Sequence, residues 1–131
     1  MRGSGCAVPD VPIVLLVEDD EPLQDIVRDA LKEGGFDLVT TASGEEAVML
    51  LGSGVVKYSA LVTDINLKGG TTGWGIAREA RELEPALAVV YITGAAADEW
   101  PAQGVPNSIL IRKPFAPAQL VTAVARCTIP I

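Results

Sequence analysis

The chain has 131 residues, a formal net charge of −7 and no histidine. That length fits one domain with one real core. The acidic balance argues against phosphate-backbone binding, and the missing histidine excludes imidazole catalysis or metal ligation. Hydrophobic residues make up 49% and aromatic ones only 5%, so the core must be built from Val, Ile, Leu and Ala, which favours a buried parallel sheet.

No apolar run approaches the length of a membrane span, and the opening "MRGSGCAVPDVP" has no hydrophobic signal-peptide core. The expected location is the cytoplasm, with no membrane or direct nucleic-acid partner. Residues 1–10 are expected to form a flexible segment ahead of a domain spanning 11–128, with no output domain after it. Cys6 and Cys127 are too few for a disulfide scaffold and lack metal-ligand spacing, so both are expected as thiols.

Ile13 to Val17 is a short, continuous apolar run, which reads as a strand buried on both faces. It ends in Glu18, Asp19, Asp20 and Glu21, four acids in succession. A pair of such charges 4 Å apart near a surface repels by about 4 kcal/mol, so something must offset the run. Pro22 then suits a first helical position, and Leu23, Ile26, Val27, Ala30 and Leu31 recur at helical spacing until Gly34 and Gly35. Asp20 and Glu21 read as helix-start acids.

"FDLVTTA" predicts a second strand, and Ser43 with Glu46 three residues on is a capping-box signature for a helix through about Leu51. "YSALVTD" is a third strand that again ends in an acid, Asp64. The loop "INLKGGTTG" leads to a helix from about Trp74 to Glu84, with Ile76, Ala77, Ala80 and Leu83 on one face and Pro85 as its stop. "ALAVVYITG" is the fourth strand. In "AAADEWPAQGVPNS", Pro101, Gly104 and Pro106 leave room only for a short or distorted helix. "ILIRKPF" gives a fifth strand and Pro117 to Cys127 a last helix. Trp74 and Trp100 read as packing or partner residues.

Strands alternating with helical segments imply an open α/β fold, a parallel sheet with helices on both faces. In such sheets ligands bind beyond the carboxyl ends of the strands. There the sequence delivers Glu18, Asp19 and Asp20, then Asp64, Thr93 and Lys113. Carboxylates from two strands can ligate a hard cation such as Mg²⁺, which would neutralise the acid run. A lysine and a hydroxyl beside them point to an anion that comes and goes, and Asp64, alone at its strand end, is the natural nucleophile toward phosphorus.

The motifs "LLVEDDEPL", "LVTDINL", "VVYITG" and "IRKPF", in this order, make the chain resemble a response-regulator receiver domain of bacterial two-component signalling. The resemblance runs from about Val11 to Cys127. It implies a flavodoxin-like (βα)5 fold with strand order 2-1-3-4-5, an order for which receivers are a standard example. By position it implies Asp64 as phosphoacceptor, Glu18, Asp19 and Asp64 as Mg²⁺ ligands, and the backbone carbonyl of Asn66 as a further one. Thr93 matches the switch hydroxyl and Lys113 the lysine that pairs with the phosphoryl group. It also implies a cis Lys113-Pro114 bond, and a sensor histidine kinase or histidine phosphotransfer protein as partner. A monomer or weak dimer with only weak self-phosphorylation and self-hydrolysis is expected, and no further enzyme activity.

The sequence departs from the family pattern in three places. Leu110 stands where receivers usually carry an aromatic residue, so the threonine–aromatic coupling cannot run in its usual form. Lys68 stands where proline is frequent, with one extra residue before Gly73. The fourth helical segment is short, which moves the expected signalling face toward residues 95–108. A receiver-like interaction module that works without phosphate is the alternative reading, and a receiver excised from a larger protein is another. A dehalogenase-type phosphatase is disfavoured because Asn66 replaces its second aspartate, and a flavin protein because the first loop is acidic.

Overall fold

The computed structural model describes residues 11–69 and 71–128. The readings on residues 1–10, including Cys6, lie outside that range. Five strands, β1 (Ile13–Val17), β2 (Asp37–Thr41), β3 (Ala60–Asp64), β4 (Ala88–Thr93) and β5 (Ile109–Arg112), form one sheet of order β2-β1-β3-β4-β5. Every pairing is parallel. Between them run α1 (Glu21–Glu33), α2 (Gly44–Ser53), α3 (Gly73–Leu83), the single turn α4 (Trp100–Gln103) and, last, α5 (Pro117–Thr128). The chain therefore has the doubly wound, flavodoxin-like arrangement expected of it.

Side chains alternate across the central strands, and this divides the core into two layers. Leu15, Val17, Leu61, Val89 and Tyr91 pack toward Ala47 of α2 and Ile76, Ala77 and Ala80 of α3. Val14, Leu16, Val62, Val90 and Ile92 pack toward Val27 and Leu31 of α1 and Leu120 and Val124 of α5. Each fully buried side chain of this kind stabilises the fold by about 1.5–3 kcal/mol relative to exposure. Two residues assigned to core faces by spacing do not reach the core: Ile26 and Leu83 are both exposed. Each lies at the margin of its helix's apolar stripe, where no neighbouring element covers it.

The helix starts follow the sequence signals. Asp20 is the N-cap of α1, its carboxylate accepting from the Leu23 amide at 3.3 Å. Ser43 caps α2 through the Glu46 amide at 3.1 Å. The reciprocal half of the expected capping box is replaced, because the Glu46 carboxylate accepts from the Thr41 hydroxyl. Helix α2 also runs past Leu51 to Ser53, stopped by Gly54 at φ +70°, a left-handed conformation that favours glycine. The fourth segment is short, as expected: a 3-10 turn over Ala97–Glu99 followed by α4, with Pro101 in its first turn, where the lost amide costs least. The Lys113-Pro114 bond is cis. Among the described residues no helix is long and apolar enough to cross a membrane.

Candidate functional site

Because all five strands are parallel, their carboxyl ends share one edge of the sheet. Val17 of β1 pairs with Thr63 of β3, so one residue further along each strand places Glu18 beside Asp64. Glu18 and Asp64 are buried, at 1% and 7% exposure, while Asp19 is half-buried. One carboxylate oxygen from each of the three lies within 4.8 Å of the others. Lys113, just past β5, reaches across the sheet edge to put its Nζ 3.2 Å from Glu18 Oε1 and 3.3 Å from Asp64 Oδ2.

The charge balance of this group defines what it can hold. Three carboxylates face one ammonium, which leaves two negative charges in a largely buried place. A divalent cation would close that balance, and six oxygens at about 2.1 Å is the geometry Mg²⁺ demands, with waters filling what the protein does not supply. Glu18 shows the deficit most directly. Its Oε2 accepts from the Asp20 amide at 3.2 Å, whereas the buried Oε1 lies against Lys113 without a well-directed hydrogen bond. A buried carboxylate oxygen left so is costly, and these residues fit a hard cation.

Protonation follows the same electrostatics. Burial pushes the Glu18 carboxyl above its ordinary pKa, the Asp64 charge adds to that, and Lys113 only partly offsets them. For Lys113 burial favours the neutral amine, but Glu18 and Asp64 together outweigh it and hold the ammonium above its ordinary value. The lysine therefore stays charged at neutral pH, available to any anion at this edge.

Several supports escaped the sequence reading. The Glu18 amide donates to the Thr41 carbonyl at 3.0 Å, and the Gln24 side-chain amide donates to the Glu18 carbonyl, which ties α1 to the acidic loop. The Lys68 backbone amide donates to Asp19 Oδ2 at 3.4 Å, joining the loops that follow β3 and β1. Gly73 opens α3 so close to the site that a Cβ there would lie 2.3 Å from the Asp64 carbonyl oxygen. Its amide donates to the Ile65 carbonyl at 2.9 Å. An alternation pattern carries no signal for contacts of this kind; only the glycine in the loop hinted at a close approach.

Thr93 and Asn66 stand differently. Thr93 is fully buried at the end of β4, and its carbonyl accepts from the Lys113 amide at 2.8 Å, which fixes the lysine's start. Its hydroxyl oxygen, however, accepts from the Ala95 and Ala96 amides at 3.2 and 2.8 Å, so it is engaged with its own loop. Asn66 is exposed in the bend after Asp64.

A parallel sheet in this order with three carboxylates and a lysine at its carboxyl edge defines a class of signalling domain, and the sequence comparisons give it a family. The response regulator receiver domain model matches residues 14–125. The chain belongs to that family, the receiver domains of two-component systems.

Among curated proteins, a response regulator receiver protein of Anaeromyxobacter sp. (strain Fw109-5) is 37% identical over 110 residues, covering 84% of this chain and 43% of its own. A putative NtrX-like response regulator of Rickettsia bellii is 30% identical over 116 residues, covering 86% of this chain and 24% of its own. The chain thus spans less than half the length of these relatives. Among solved structures, a response regulator receiver protein from Sinorhizobium medicae WSM419 superposes with a TM-score of 0.88 at 39% identity, covering 91% of this chain and 95% of its own. The receiver domain of a sensor histidine kinase from Pseudomonas aeruginosa PAO1, with a magnesium ion coordinated in its active site cleft, does so at 0.78 and 25% identity, covering 91% and 98%.

Proposed function

We propose that this receiver domain accepts a phosphoryl group on Asp64 from a histidine kinase or histidine phosphotransfer protein and changes its partner-binding surface in response. The single observation that carries this reading is the balance at the strand ends: Glu18, Asp19 and Asp64 converge within 4.8 Å, with Lys113 as their counter-charge. Glu18, Asp19, Asp64 and the Asn66 carbonyl are the groups that would hold Mg²⁺. When bound, the ion neutralises charge on the carboxylates and on the incoming phosphoryl oxygens.

The protein's own residues then have separate tasks. Asp64 Oδ attacks phosphorus while the phosphorus–nitrogen bond of a phosphohistidine breaks, and the electron pair leaves with the imidazole. Lys113, already 3.3 Å from Asp64, exchanges part of its carboxylate contact for a phosphoryl oxygen, a charge-assisted pairing. Thr93 would give its hydroxyl to the phosphoryl group and so let go of Ala95 and Ala96. Beyond self-phosphorylation from small donors and slow self-hydrolysis the reading includes no enzymatic turnover.

Intact-mass spectrometry after incubation with Mg²⁺ and acetyl phosphate tests the proposal. One added phosphoryl group on the parent and none on Asp64→Asn is the expected result. No addition, together with no Mg²⁺ binding by titration, would replace it with the phosphate-independent interaction module.

A further inference from the structure

The segment joining β4 to β5 is held very unevenly. Its first part, from Gly94 to Glu99, takes its hydrogen bonds to the strand from the Thr93 hydroxyl, through the Ala95 and Ala96 amides, and has one apolar foothold, Ala96, in the core layer of Tyr91 and Trp74. Within it the Glu99 amide donates to the Ala96 carbonyl at 3.1 Å.

The second part is fastened by residues other than Thr93, from α3 and from further back in β4. From α3, Arg78 Nη2 donates to the Gln103 carbonyl at 3.2 Å and to the same residue's side-chain oxygen. One turn on, Arg81 Nη1 donates to the Pro106 carbonyl at 2.6 Å while its Nε donates to the Leu87 carbonyl at 2.7 Å, so a single guanidinium joins the stretches that lead into β5 and β4. From β4, the fully buried Tyr91 accepts the Val105 amide on its hydroxyl at 3.1 Å. Tyr91 is itself wedged edge-on against Trp74 of α3, with ring centroids 4.7 Å apart.

Trp100 closes the second part on itself. Its indole Nε1 donates to Ser108 Oγ at 3.0 Å, and Ser108 Oγ donates to the Val105 carbonyl at 2.6 Å. Gly104 lies under the indole so closely that a Cβ there would be 2.3 Å from the ring. The stretch from Trp100 to Ser108 is therefore anchored to α3 and β4 at three residues and braced internally by a tryptophan.

We propose that the conformational response of this protein is confined to Gly94–Glu99, with Trp100 as the hinge and Gln103–Ser108 as a fixed platform pinned by Arg78, Arg81 and Tyr91. The inference deepens the phosphoryl-acceptor reading and rests on it, since release of Ala95 and Ala96 by Thr93 is the input. It also accounts for Leu110. Leu110 pairs with Tyr91 in the β4–β5 register, so the aromatic ring missing from β5 stands in the adjacent strand, where it fastens the platform instead of moving.

The test is amide hydrogen exchange on the whole chain with Mg²⁺, with and without beryllofluoride as a phosphoryl mimic, read residue by residue. The expected result is a response in residues 65–69 around Asp64, a change of about tenfold at Ala95 and Ala96, and less than about twofold at Gly104, Val105 and Ser108. Equal changes at residues 104–108 and 95–96 would overturn the proposal, as would a response at 65–69 with none at 95–96. Tyr91→Phe, which removes one hydrogen bond, and Arg78→Ala, which removes both bonds to Gln103, leave Glu18, Asp19, Asp64 and Lys113 in place and should carry the change through to Val105. If both variants leave exchange at residues 104–108 as in the parent, with and without the mimic, the pinning is refuted. Absence of any response at 65–69 would count against phosphoryl acceptance itself, and the hinge would fall with it.

Discussion

Glu18 is the residue at which the needs of stability and of function part. Its carboxyl has a raised pKa in the folded protein, so the folded state binds its proton more tightly than the unfolded one does. Its contribution to stability is then greatest in acid and declines as pH rises through the folded pKa. Glu18→Gln should accordingly raise the melting temperature at pH 8 in EDTA and show a smaller gain at pH 4, while losing most of the stabilisation that Mg²⁺ gives the parent; differential scanning calorimetry reads all of these. Lys113 adds a limit at the other end of the scale. Its ammonium is held above the ordinary value, so its stabilising pairing is complete below about 10.4 and is lost as pH rises through the higher folded value.

Lys68 offers a second residue-scale test, because proline has no amide to donate. Lys68→Pro removes the donor to Asp19 Oδ2 and Lys68→Ala keeps it. The expected outcome by calorimetric titration is Mg²⁺ affinity several-fold weaker in the proline variant, in line with a hydrogen bond to a charged group worth about 1.5 kcal/mol or more. Equal affinity in the two variants would remove this amide from any role in the site.

At the scale of elements, the sequence disclosed what periodicity can encode and missed what close approach encodes. Apolar runs leading to Glu18 and Asp64 announced buried strands, and Asp20 and Ser43 announced helix starts; all four elements stand where they were expected. Spacing alone could not tell that Ile26 and Leu83 would face solvent, since a stripe's margin is decided by how far the neighbouring element extends. Nor could it show that Gly73 brings α3 against the Asp64 carbonyl, because a contact between residues nine apart across a loop leaves no repeating pattern. Gly73→Ala should cost about 1–3 kcal/mol in urea unfolding as an overpacking change, and it should slow phosphorylation by displacing the backbone of Asp64. Tyr91→Phe should cost about 1–3 kcal/mol, since it leaves the buried Val105 amide without its acceptor. Its phosphorylation rate should match the parent's, because Tyr91 lies away from the carboxylates.

The whole molecule can be described as a site whose parts are far apart along the chain and adjacent only in the finished sheet. Asp64 and Lys113 are 49 positions apart, as are Asp19 and Lys68. The ends of β1, β3 and β5 supply two carboxylates, one carboxylate and one ammonium in turn, so the chain presents the acids first and the ammonium last. A chain folded only as far as β4 would gather Glu18, Asp19 and Asp64 with no counter-charge of its own, at a cost set by the repulsion of like charges in a poorly hydrated place. Metal would relieve that cost before Lys113 arrives. Refolding in Mg²⁺ should therefore be faster than in EDTA, and the acceleration should vanish in Glu18→Gln if the acids are already together in the transition state. Lys113 thus completes the site from the last strand in the chain, and that strand is the one that makes the acidic edge of the sheet tolerable.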